Sequence, residues 1–104
     1  MSPIAIDVLD GGSVEALGRI APGVFDHAIE PARLAEFLGD PRHHLVVARD
    51  GQVVVAMASG VHYVHPDKEP ELWINEVAVA PSHRGRGIGK RLVRALLERG
   101  RALG

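Results

Sequence analysis

Three glycines at alternate positions, Gly85, Gly87 and Gly89, set among Arg84, Arg86 and Lys90, constrain the fold of this chain more than any other stretch. They follow Ile74, Val77 and Val79, β-branched residues that favour a strand, and Pro81, which cannot continue a sheet ladder. They precede Ile88, Leu92, Val93, Leu96 and Leu97, whose recurrence at three and four residues marks one face of a helix. The reading is strand, tight turn, helix. Glycine lets the backbone bring successive N–H groups close to a ligand, and a helix start adds unpaired N–H groups and the positive end of a dipole. Such a turn is built to hold anions; the alternative is a glycine-rich surface turn with no ligand.

Two familiar phosphate loops are excluded by counting. A P-loop needs Gly at position 84 and Ser or Thr at 91, and both are Arg; a dinucleotide fingerprint needs Gly at 90, which is Lys. What remains is Arg84-x-x-Gly87-x-Gly89 after a strand ending Val-x-Val-x-Pro. This resembles the acetyl-coenzyme A loop of the GNAT N-acetyltransferase superfamily. The resemblance implies an α/β (α+β) fold with a mixed, mainly antiparallel sheet and flanking helices. It also implies acetyl-CoA as cofactor, with Val77 and Val79 along the pantetheine arm and Arg84, Arg86, Gly87, Gly89 and Lys90 at the phosphates.

A chain of 104 residues makes one domain with a modest core. With no cysteine, disulfides, thiolate catalysis and Cys-based zinc sites are absent. The start, Met1-Ser2-Pro3-Ile4, has no basic segment leading into a long apolar run, so a cytoplasmic location and no membrane partner are expected. Charge is uneven: residues 1–83 carry five basic and twelve acidic side chains, residues 84–104 seven basic and one acidic. The basic end suits a polyanionic cofactor and the acidic remainder a cationic second substrate.

In order, Ile4 to Leu9 reads as a strand with Ile4, Ile6 and Val8 on one face, closed by Asp10-Gly11-Gly12. Ser13 is an N-cap candidate for a helix through Val14, Leu17, Gly18 and Ile20 to Ala21, stopped by Pro22-Gly23. A second helix is expected from Pro31 to Leu38. His44 to Arg49 and Gln52 to His62 form a hairpin about Asp50-Gly51, and Glu71 to Ala80 is the next strand. The expected order is β-α-α-β-β-β-α. In the family this covers the first two-thirds of the fold, so a single domain incomplete at its C-terminus is expected, or one in which a second copy supplies an equivalent surface.

The resemblance further implies direct attack of an amine on the thioester. An amine resembling Lys, with a pKa of about 10.4, must lose a proton first, so a nearby carboxylate helps. Glu76 is the expected catalytic base, since several acetyltransferases of small amines carry an acidic residue there; the alternative is that it faces solvent or pairs with an arginine of the basic helix. The run from Val61 to Glu76 looks like the corresponding segment of the aminoglycoside 3-N-acetyltransferase I group. That makes an aminoglycoside the expected acceptor, with Tyr63, Asp67, Glu69 and Glu71 at the substrate; the alternative for the three acids is a solvated surface. The family's usual tyrosine acid comes from a fourth helix, which this sequence does not include, and Tyr63 is its only tyrosine.

His43, His44, His62, His65 and His83 match no standard metal-ligand spacing, so no metal is expected. Trp73, between Leu72 and Ile74, is expected to pack on the sheet. Two competing readings differ in class. One is a nucleic-acid-binding module using residues 84–101, disfavoured because those arginines lack interleaved aromatics and the net charge is −1. The other is an inactive domain paired as a homodimer across its last strand edge.

Overall fold

The computed structural model describes residues 4–9 and 17–103. The elements run β1 (Ile4–Leu9), β2 (Arg19–Ile20), α1 (Pro31–Gly39), β3 (His43–Asp50), β4 (Val53–Tyr63), β5 (Glu71–Val79), a 3-10 turn at Pro81–His83, and α2 (Ile88–Leu103). The fold is the mixed α/β class expected, with β1, β3, β4 and β5 in antiparallel succession. β2 adds a short parallel pairing to the start of β4.

The core follows from the position of β4. It has β3 on one edge and β2 and β5 on the other, and its run Val54 to Ala58 is buried on both faces, as a continuous apolar stretch requires. α2 covers one face with Ile88, Leu92 and Leu96, each buried and each contributing about 1.5–3 kcal/mol of transfer free energy. α1 lies on the other face with Leu34 and Leu38 buried. Pro31 occupies its first turn, where a missing N–H costs nothing, and Leu34 N–H bonds the Glu30 carbonyl at 3.0 Å. Among the described residues no helix is long and apolar enough to cross a membrane.

Several expectations are corrected. Of the first expected helix, Ser13 and Val14 lie outside the described residues, as do Asp10, Gly11 and Gly12. Its other end is not helical: Gly18 has φ +59°, and Arg19–Ile20 is strand. The reason is tertiary. Arg19 and Ile20 pair with Val53 and Val54, and Ala21 N–H reaches the Val54 carbonyl at 2.9 Å, so sheet bonds override a local helical spacing. The described order is therefore β-β-α-β-β-β-α. The hairpin loop is Gly51-Gln52, one residue later than expected, because Asp50 still pairs with Val53. Gly51, at φ +61°, supplies the positive φ that the first position of such a loop demands.

Three side chains also depart from their expected setting. Val8 is exposed while Leu9, opposite Leu45, is buried. Leu97 is 43% exposed, leaving the helix stripe at the margin of the core. Trp73 is 57% exposed and meets Tyr63 edge-on, with ring centroids 6.3 Å apart, because β5 is an edge strand among the described residues.

His43 and His44 face opposite ways, as neighbours on a strand must: His43 lies against Phe37 of α1, while His44 stacks on His62 with Nε2 2.8 Å from Nδ1. Burial pushes the His44 imidazole below its ordinary value, with His62, Arg99 and His43 adding to the shift. A lowered imidazole stays neutral in the folded chain while the unfolded chain takes up its proton. Its contribution should therefore leave stability flat above pH about 6.5 and reduce it as pH falls below that, and His44→Leu should lessen this acid slope in chemical denaturation at stepped pH.

Glycine positions give a second check. A Cβ on Gly60 would sit 2.8 Å from the Trp73 carbonyl oxygen and 3.2 Å from Leu96 Cδ2, whereas one on Gly39 meets nothing within 4 Å. Gly60→Ala should cost about 1–3 kcal/mol and Gly39→Ala should be neutral or slightly stabilising, read as melting temperatures.

Candidate active site

β5 leaves the sheet through a tied-down turn. Ala80 N–H bonds the Val55 carbonyl at 2.8 Å, and His83 N–H bonds the Ala80 carbonyl at 2.9 Å. The His83 ring then links two side chains, with Ser82 Oγ 2.7 Å from Nδ1 and Asp50 Oδ2 2.9 Å from Nε2. This fixes the entry to the glycine segment against the end of β3.

Within that segment Gly85 and Gly87 have φ +78° and +75°, the left-handed conformation that only glycine takes without strain. The first α-helical bond of α2 runs from Arg91 N–H to the Gly87 carbonyl at 3.2 Å, so the N–H groups of Ile88, Gly89 and Lys90 precede the helical ladder and have no partner in it. A Cβ at Gly89 would touch Val77 Cγ1 at 3.7 Å and Val79 Cγ2 at 3.8 Å. The helix start thus sits directly over the end of β5. Arg84 Nε donates to the Val79 carbonyl at 3.1 Å, which holds its guanidinium at the strand end, while Arg86 and Lys90 are exposed.

One irregularity in β5 decides which side chains face where. Ser59 pairs with Glu76 and Gly60 with Ile74, so Asn75 is an extra residue in β5. Side chains alternate along a strand, and an inserted residue reverses the alternation. Leu72 and Ile74 before the bulge, and Val77 and Val79 after it, therefore all face α2, and Glu76 turns to the α1 side. Without the extra residue Glu76 would share the face of Ile74.

Each side of β5 has its own recess. On the α2 side a groove of about 800 Å³ joins Val77, Gly89 and Lys90 to Val93, Arg94, Leu97 and Arg101. Its floor is apolar, its rim carries Lys90, Arg94 and Arg101 with one acid, Glu98, and it begins at the start of α2. On the α1 side a cleft of about 570 Å³ has Glu76 and Ser59 in one wall and residues 25–30 with Phe37 in the other. Glu76 is exposed, not sheltered by the apolar residues beside it in sequence.

The structure thus brings together Val77, Gly89 and Lys90, with Val79 beneath Gly89 and Gly87 opening the helix, and sets Glu76 back to back with Val77. Tyr63, Asp67, Glu69 and Glu71 line neither recess. Glu71 is five residues before Glu76, roughly 15 Å away at about 3.3 Å per strand residue. Lys68, 3.2 Å from Glu71, holds that carboxyl below its ordinary value. Ser59, Leu45, Met57 and the segment 25–30 went unnoticed in the sequence. For the cleft wall on β5 a signal existed: the apolar spacing 72, 74, 77, 79 slips by one residue at the bulge.

Comparison with known proteins gives a consistent result. The family model for the acetyltransferase (GNAT) family matches residues 14–104. N-alpha-acetyltransferase RimI of Mycobacterium tuberculosis is 31% identical over 98 residues, which are 92% of this chain and 61% of the relative. L-2,4-diaminobutyric acid acetyltransferase of Shouchella clausii is 29% identical over 92 residues, 88% of this chain and 49% of the relative. The chain therefore spans about half to three-fifths of the length of these curated relatives. A solved structure of aminoglycoside N-acetyltransferase AAC(6')-Iy in complex with CoA is 25% identical and superposes with a TM-score of 0.73, covering 100% of this chain and 73% of the other. The glycine segment, the strand it follows and the helix it opens thus have a family to match their geometry: the chain belongs to the acetyltransferase (GNAT) family.

Proposed function

We propose that this chain carries acetyl-CoA-dependent N-acetylation of a primary amine. The observation that supports it is the back-to-back placement of Glu76 and Val77 on β5, one opening on an acidic cleft and the other on a groove that starts at the first turn of α2, whose amides precede the helical ladder.

The residues present fit coenzyme A. Positive φ at Gly85 and Gly87, the unpaired N–H groups at the start of α2 and the charges of Arg86 and Lys90 suit a diphosphate. Val77, Val93 and Leu97 offer an apolar track for the pantetheine arm, with Val79 beneath Gly89 beside it, and Arg94 and Arg101 add positive charge along the groove. Arg84 keeps the strand end and the loop in register through its bond to Val79. When bound, acetyl-CoA supplies an activated acyl group: a C–N bond forms as the C–S bond breaks, the amine gives up a proton and the released thiolate takes one.

Glu76 accepts the proton of the incoming ammonium, directly or through one water, from the side of the strand opposite the thioester groove. Asp26 and Glu76 draw a cation into the cleft before that step. An aminoglycoside is the acceptor in this class that similarity suggests. The aminoglycoside acetyltransferases among the solved neighbours support it, as does the resemblance to the aminoglycoside 3-N-acetyltransferase I group. Asp67 and Glu69, exposed in the β4–β5 connection, remain available to a large polycation reaching beyond the cleft.

Two measurements test this. The melting temperature should rise with coenzyme A well beyond its rise with inorganic phosphate and survive added salt, and Gly87→Val should abolish most of the difference. A rise no greater than that with phosphate removes the cofactor assignment. Glu76→Gln should lower acetyl transfer to a primary amine by about 10²–10⁴-fold while leaving the coenzyme A shift in place, and unchanged transfer removes the base assignment.

A further inference from the structure

The cleft beside Glu76 has a floor of one chemical kind. Phe25, Ile29, Leu34, Phe37, Leu45 and Met57 line it, with Leu34, Leu45 and Met57 buried and the other three half-buried. Charge is confined to exposed positions. Arg33 is the only Arg or Lys in the lining, and its Nε lies 2.7 Å from Glu30 Oε2, so that pair is neutral within itself. Asp26 and Glu76 remain, and neither has an ion pair among the described residues.

We infer that the acceptor is a molecule with a single primary amine borne on an apolar body, the body laid on this floor and the ammonium drawn by Asp26 and Glu76. The inference rests on the acetyl-transfer reading and narrows its acceptor. A polyhydroxylated polycation would set hydroxyl groups against Phe37, Leu45 and Met57, which offer them no hydrogen-bond partner. Within the cleft it would also bring more cationic centres than Asp26 and Glu76 can match, since Asp67 and Glu69 lie outside the lining. An apolar body loses nothing there and leaves water for a surface like its own. The same chemistry comes from two sources, a free aralkylamine or the unblocked N-terminus of a peptide that begins with an apolar residue.

Isothermal titration of the whole chain, without coenzyme A, decides the matter. The probes are 2-phenylethylamine, an unblocked Leu-Ala-Ala peptide, 2,4-diaminobutyrate, kanamycin and the neutral 2-phenylethanol. One or both apolar amines should bind about tenfold or more tightly than kanamycin and diaminobutyrate, and the better of the two names the source. Phe25→Ser should weaken that binding about tenfold. Asp26→Asn should weaken the amine but not 2-phenylethanol, which guards against a folding defect. Kanamycin binding as well as the apolar amines, or no amine binding at all, overturns the inference. A chain that binds 2-phenylethylamine but shows no melting shift with coenzyme A loses the acetyl-transfer reading and keeps the cleft's preference.

Discussion

One extra residue in β5 carries the organisation of the whole site. The strand must keep an apolar stripe against α2 over its full length and also turn a carboxylate to the opposite side. Strict alternation permits only one of these at the positions available. Asn75, left out of the pairing with β4, changes the phase between Ile74 and Glu76 and so permits both. Gly60 of β4 is the complement of that device. Its missing side chain lets the Trp73 carbonyl and the Leu96 side chain approach as the kinked strand requires.

The anion-holding segment depends on the core in a similarly local way. Left-handed glycines fix the path of the turn, but they do not fix where it points. That comes from α2, whose Ile88, Leu92 and Leu96 are buried against the sheet and whose first turn lies, at Gly89, over Val77 and Val79. Burial of a few aliphatic side chains thus positions amides that touch none of them. The basic residues add charge to a place the backbone has already defined.

What could be read from the sequence divides along the same line. The glycine segment, the strand before it and the helix after it were legible because each is specified by neighbouring residues: β-branching, Pro81, three glycines and a period of 3.6. The helix expected to end at Ala21 failed because its last residues answer to Val53 and Val54 across the sheet. Leu97 and Trp73 read as interior by spacing, but they remain 43% and 57% exposed, Trp73 meeting Tyr63 edge-on at an edge strand. The cleft was invisible for a further reason. Its wall combines Phe25 and Ile29 from an irregular segment, Phe37 from a helix and Leu45 and Met57 from two strands, residues that only the tertiary fold brings together. Glu76 was identifiable as a chemical group, whereas its orientation needed the register.

The hydrogen bond between His83 and Asp50 has an implication for mechanics. It spans 33 residues and fastens the turn before the glycines to the tip of the β3–β4 hairpin. The glycine segment is consequently suspended between two anchors, a helix at one end and a hairpin tip at the other. A span held at both ends resists sideways displacement far better than a cantilever does, so it can meet a highly charged guest with its shape already set.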